Sequence, residues 1–235
     1  MKTLALLALT TLLTTGCTMN CVQGSGPVEE RTLEIASFSG IEVGGSIQVT
    51  LEKGSEQKIT VTAQPVLLDL LNTEVKSDVW RIRTSKCWSS DSEFTVHIVT
   101  PSLINSIEVN GSADVGTADV FGSGNTRLST SGSGTITVAG INERKLDLSI
   151  SGSGAITVRG TCSELSATLS GSGDLIGEEL TANEAVLKVS GSGSATITAI
   201  SKLDAKVSGS GTVRYGGMPN VSSKVSGSGS VSPLQ

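Results

Sequence analysis

Along most of this chain apolar and polar residues alternate one for one, and a short glycine–serine block interrupts the alternation at regular intervals. Before the block the apolar positions are Leu146, Leu148 and Ile150; Leu165, Ala167 and Leu169; Ala185, Leu187 and Val189; and Leu203, Ala205 and Val207. After it they are Ile136 and Val138; Ile156 and Val158; Ala195 and Ile197; and Val213 and Tyr215. A period of two is that of a strand with one buried face. Each unit therefore predicts two strands, with Thr, Ser, Lys, Asp and Arg on the outward row. The block reads SGSG from Ser131, Ser151, Ser170, Ser190, Ser208 and Ser226, and NGSA from Asn110; successive starts lie 21, 20, 19, 20, 18 and 18 residues apart. A flexible Gly/Ser linker has no reason to keep a period. A solenoid of stacked coils does. The predicted fold is all-β: a parallel β-helix-like solenoid, with an antiparallel sheet inserted near its N-terminus.

In that reading SGSG is the corner between the two strands of a coil, and short stretches such as "RGTCSE" and "GGMPN" connect one coil to the next. The corner glycines are Gly132, Gly134, Gly152, Gly154, Gly171, Gly173, Gly191, Gly193, Gly209, Gly211, Gly227 and Gly229. Stacked corners leave no room for a bulky residue, so Gly173→Val is expected to destabilise its coil. The middle serines, from Ser133 to Ser228, are expected to stack along one edge. The C-terminal "SGSGSVSPLQ" offers no cap, which leaves the last coil to its own tail or to a second copy of the protein.

Residues 38–106 alternate without repeating. "GIEVGGSIQVTL" carries Ile41, Val43, Ile47, Val49 and Leu51 at strand spacing, and its "GGSIQV" resembles one more corner. "KITVTA", "WRIRT" and "EFTVHIVTP" are further strands, and "PVLLDLL" is a short helix opened by Pro65. The stretch from about Leu51 to Ser106 is read as an insertion into the first coil that also caps that end. The expected organisation is a signal peptide over 1–16, a tether over 17–37, the first coil with its inserted sheet and short helix over 38–106, and the repeat solenoid over 107–235.

The N-terminus changes the setting. "MKTLALLALTTLLTTGC" has one Lys, an apolar run too short to span a bilayer stably, then small residues and a Cys. "LLTTGC" looks like a bacterial lipobox, with Thr14 standing where Leu is usual. The two readings are acylation of Cys17 and an ordinary signal peptide with Cys17 incidental, and the first is preferred. A lipid would anchor the protein to a membrane without spanning it. Thr18 in place of Asp leans toward the outer membrane. Export favours disulfides; of the remaining cysteines, Cys21 with Cys87 is the preferred pair, leaving Cys162 in a coil connector as a small buried or half-buried residue.

Composition removes several function classes. The net charge is −5, only 3% of residues are aromatic, and no basic stripe is visible for nucleic acid. His97 is the only histidine and is expected to face solvent, so it builds neither a triad nor a His-based metal site. No GSG block is followed by a helix start or by the Lys-Ser/Thr of a phosphate-binding loop. Asp114 and Asp174 follow corners in non-adjacent coils, which does not make a calcium ladder. The acids Asp147, Glu164, Asp174, Glu178, Glu179, Glu184 and Asp204 read as solvated connectors and outward rows. No catalytic residue, metal or cofactor is assigned. Either Trp80 with Ile82 or Arg81 with Arg83 forms a core row. Trp88 in "KCWSSD" is the surface candidate for ligand contact, weighed against packing beside a disulfide.

The series "FSGIEVGGSIQVTLEKG", "PVLLDLLNTEV", "VTPSLINSIEVNGSADV" and then serial SGSG corners resembles the auto-transporter adhesin head domain family, also called the GIN head domain. The resemblance runs from about Phe38 to near the C-terminus. It implies an exported bacterial protein, often a lipoprotein, with a right-handed β-helix-like solenoid, and it carries no catalytic or binding residues across. The expected function is a lipid-anchored, non-catalytic adhesion module for a glycan or cell-envelope partner. A self-associating envelope scaffold is the alternative, and a polysaccharide-active enzyme is the least favoured reading.

Overall fold

The computed structural model describes residues 21–89, 91, 93–119 and 121–234. The segment 1–16 and Cys17 therefore lie outside the described residues, together with the expectations placed on them. The rest is a stack of parallel β-coils. In each coil one strand enters a corner and another leaves it, and both lie in register on their counterparts in the next coil. Ser106–Gly111 pairs with Gly40–Gly45 on one side and with Asn125–Gly132 on the other, Ile107 lying between Ile41 and Leu128. The same register continues through Leu148, Ala167, Leu187 and Ala205. Each inward row thus becomes a column of Val, Ile, Leu and Ala that is almost fully buried.

The connectors are more ordered than loops between two-strand coils. Thr135–Gly152, Ala155–Gly171, Asp174–Gly191 and Ser194–Gly209 each run as one hydrogen-bonded ladder from corner to corner. Register shifts between Val138 and Ile141, and between Thr157 and Gly160, absorb the bend, and Gly160 takes a φ of 127° there. A bulge lets a strand turn without leaving its sheet. The connectors thereby contribute buried Ile141, Cys162, Leu180, Ala182 and Ala199 to the core.

The insertion closes the N-terminal end. Lys58–Ala63 pairs antiparallel with both Glu29–Leu33 and Thr95–Thr100. Val79–Ile82 and Thr95–Thr100 instead lie parallel beneath Gly40–Gly45 and Gln48–Lys53, so the insertion supplies one further layer of the stack as well as an antiparallel sheet. Trp80 and Ile82 form the core row. The Trp80 ring lies 5.7 Å from that of Phe38, and its indole N–H donates to the Asn72 carbonyl at 3.0 Å. Pro65–Leu68 is a single helical turn that buries Leu67 and Leu68.

The tether read over 17–37 needs correcting from Cys21 onward. Val22–Gln23 forms a two-stranded parallel sheet with Trp88–Ser89, Glu29–Leu33 is a sheet strand, and Cys21 is bonded to Cys87. These strands sit at an edge with mostly exposed side chains, so their pattern lacks the apolar alternation that marks the coils. Arg31 there bridges Glu29 and Asp69. At the other end, Ser230–Pro233 extends the stack on Thr212–Gly216, and the strand Asn220–Ser226 is almost wholly exposed. The tail adds to the last coil and does not cover it.

Candidate functional site

The cleft with the most mixed chemistry lies where the first corner meets the insertion. Gly45, Ser46 and Gln48 form one wall. Thr84, Cys87, Trp88, Ser89, Asp91, Glu93 and Phe94 form the other, and the cleft encloses about 540 Å³. Its second wall has little regular structure of its own and is held from two sides. The Cys21–Cys87 disulfide, with Cα atoms 4.8 Å apart, brings the N-terminal segment alongside; the Val22 N–H then donates to the Cys87 carbonyl at 2.9 Å and the Gly24 N–H to the Ser89 carbonyl at 2.7 Å. Phe94 is buried in the core, and the Trp88 ring packs against it at 5.6 Å with the planes 54° apart. Trp88 is half-buried. One part of the indole is fixed on the core and the rest faces the cleft, beside two exposed carboxylates, an exposed amide and several hydroxyls.

That combination binds polyols well. An aromatic face takes the C–H side of a sugar ring, and carboxylate and amide groups take its hydroxyls. Among the described residues of this site no nucleophile is paired with a base. His97 lies elsewhere, on an outward row between Thr50 and Thr60, half-exposed and 3.4 Å from Glu52. Among the described residues no three of His, Cys, Asp and Glu converge on a point that could hold a metal ion.

The acids flagged from sequence are spread along the coils. Asp147 pairs with Lys145 at 3.2 Å, Glu179 with Arg159 at 3.2 Å, and Asp204 reaches Lys206 at 4.0 Å. Asp114 accepts from the Thr135 hydroxyl, and Asp174 accepts from both the amide and the hydroxyl of Ser194. Glu164 and Glu184 are neighbours in register and exposed. Glu178 lies on an exposed connector.

The corner glycines have a backbone role. Gly132, Gly152, Gly171, Gly191, Gly209 and Gly227 all take positive φ, between 113° and 124°. At Gly134, Gly154, Gly173, Gly193, Gly211 and Gly229 an added Cβ would press on the backbone of the coil below. The amides of Ser153, Ser172, Ser192 and Ser210 donate to the first corner glycine of the preceding coil at 2.8–2.9 Å.

Two features were not singled out from sequence. Glu143 is only 4% exposed; its Oε1 accepts the Gly122 N–H at 2.6 Å, while Oε2 has no partner among the described residues. "INERK" reads as a solvated run, and nothing local marks the Phe121 loop that folds over it. The second is an outward column of lysines, Lys188, Lys206 and Lys224, stacked on Thr168. The signal for it was present as "KVSGSG" three times in succession.

A family model described as "Putative auto-transporter adhesin, head GIN domain" matches residues 37–219. A crystal structure of a putative adhesin from Bacteroides fragilis NCTC 9343 superposes with a TM-score of 0.82 at 21% identity, covering 91% of this chain and 100% of that one. A putative adhesin from Parabacteroides distasonis ATCC 8503 gives 0.73 at 25% identity, covering 92% and 100%. A putative lipid binding protein from the same strain gives 0.73 at 24% identity with the same coverage. No curated protein matches the chain.

Proposed function

The chain belongs to the auto-transporter adhesin head GIN domain family, and from that premise we propose that it is an exported, envelope-held binding module whose Trp88 cleft takes a glycan. The observation that carries this reading is the half-buried indole of Trp88 on the wall of a cleft of about 540 Å³ that also holds Gln48, Asp91 and Glu93. The module is non-catalytic in this reading, because the acids on the coils have structural partners or stand apart in solvent. Acylation of Cys17 would hold it to a membrane; among the described residues no helix is long and apolar enough to cross one. The test is a glycan array probed with the full-length protein and with Trp88→Ala. We expect one class of glycan to be retained, with the variant losing at least about tenfold in affinity, or about 1.4 kcal/mol, while its far-UV circular dichroism at the assay temperature shows it still folded. A blank array, or equal binding by the variant, would end this reading.

One observation favours a second reading, a self-associating scaffold. Among the described residues the last-coil strand Asn220–Ser226 pairs only with the coil below it, which leaves one edge open, and open edges recruit further strands. Light scattering that shows a stable oligomer indifferent to every glycan would select it.

A further inference from the structure

We propose that the outward column Lys188–Lys206–Lys224 is a second binding site, separate from the Trp88 cleft, for a linear acidic polysaccharide. The parallel register puts these lysines directly above one another, and Ser190, Ser208 and Ser226 form a matching hydroxyl column two residues on. Neighbouring strands are about 4.8 Å apart, so the lysine backbone positions repeat at that interval along the solenoid axis. Like charges stacked this closely repel. Only Lys206 has an acidic partner, Asp204 at a marginal 4.0 Å, and the described residues give Lys188 and Lys224 none. The arrangement therefore gains from an external anion that repeats at the same spacing.

The surface also has a shape. The lysine and serine columns line a groove of about 420 Å³ that runs across the coils. Leu169, Val189 and Val207 give the lining an apolar part, with the lysines and serines along the length. Sugar rings could lie on the apolar part with their carboxylates or sulfates at the lysines. An extended acidic chain laid along the groove would carry its acidic groups past the lysine column. Nucleic acid fits less well, because the groove lining offers no aromatic side chain on which a base could stack. A membrane surface fits less well too, since the charge forms one narrow line and not a broad basic patch. The site lies on the last coils and the Trp88 cleft at the first corner, so each can fail without the other.

The experiment is titration of the full-length protein with oligogalacturonate, which bears a carboxylate on every sugar, and with its methyl ester, which bears none. Saturable binding of the acid form alone is expected, weakening with added salt. The triple variant K188Q/K206Q/K224Q should lose about tenfold or more, as three exposed charge pairs would give, and its salt dependence should flatten. Lys58→Gln, on the inserted sheet, and Trp88→Ala should bind the acid form like the parent. Far-UV circular dichroism and thermal unfolding identical to the parent would show the triple variant folded. No binding of the acid form, equal binding of the ester, or full binding by the folded triple variant would overturn the proposal. Equal or tighter binding of single-stranded DNA, or of vesicles containing phosphatidylglycerol, would overturn the assignment to a polysaccharide.

Discussion

The corner glycines combine two physical demands that three alanine substitutions can separate. Gly45 has a φ of 80°, and an added Cβ there would meet nothing within 4 Å, so Gly45→Ala tests conformation alone. Gly173 has no positive φ, but a Cβ would lie 2.5 Å from Ile150 Cγ2 and against the Gly154 carbonyl oxygen, so Gly173→Ala tests crowding alone. Gly171 has a φ of 117° and a Cβ position 2.5 Å from the Gly152 oxygen, and so meets both. Left-handed backbone costs an alanine about 1–2 kcal/mol. Forcing a methyl into packed surroundings costs about 1–3 kcal/mol. Reduced freedom of the unfolded chain returns about 0.4–1 kcal/mol in every case. The net losses are then about 0–1.5 kcal/mol at Gly45 and about 0–2.5 at Gly173, against about 1–4.5 at Gly171. For a chain of this length each kcal/mol moves the midpoint by about 2–4 °C. Thermal and urea unfolding followed by circular dichroism would read the order, with hydrogen exchange at the Ser172 and Ser192 amides reporting whether the loss is local, since solenoids can unravel by coils. Gly171→Ala no worse than Gly45→Ala would refute the claim that close stacking of coil on coil, and not conformation alone, demands glycine at the corner.

Two further outcomes follow from buried groups. Burial pushes the Cys162 thiol up to about 11 from its ordinary 9.0. The native protein should therefore resist maleimide or disulfide reagents at pH 8 and react once unfolded. Between pH 9 and 11 the unfolded chain ionises first, so stability should fall with rising pH there, and Cys162→Ala should remove that part of the slope. At Glu143, alanine leaves the Gly122 N–H without its acceptor and should cost about 1–3 kcal/mol, with exchange protection lost at that amide; Glu143→Gln keeps an acceptor oxygen and should retain the protection.

What could be read in advance follows from how local each signal was. The coils were readable because glycine at each corner and period-two alternation between corners are properties of neighbouring residues, repeated often enough to exclude chance. Pairing partners in the insertion were not: Val79–Ile82 and Lys58–Ala63 show the same alternation, yet one joins the parallel stack and the other pairs antiparallel. Strand pattern specifies the buried face and leaves the neighbour open. The short edge strands at 22–23 and 29–33 escaped because they bury little. Trp88 stood out as an aromatic beside a cysteine, but Ser46, Gln48 and Glu93 join it only through the stacking of the first corner on the insertion. The lysine column escaped a search for charge runs because its members are separated by whole coils in sequence and by one strand in space.

That separation also explains why the column is straight. The repeats differ in length, from 18 to 21 residues, yet every lysine of the column lies two positions before its corner serine. The variation is taken up in the connectors, where the ladder between Gly177 and Thr181, and again between Ala182 and Glu184, shifts register. From Glu184 to Gly191 the register against the next coil is unbroken. The corner glycine acts as the origin from which outward positions are counted, because it is the point that can stack in only one way. Positions counted back from it, and the first few counted forward, line up whatever the connector length, and positions within the connectors do not. In this solenoid the strands flanking the corner are therefore the faces that can present a repeating ligand with a repeating partner. The same column makes the point in its composition: it runs from Arg81 through Glu42 and Glu108, then Ser129, Ser149 and Thr168, to the three lysines. One register thus carries different chemistry at its two ends without any change in backbone.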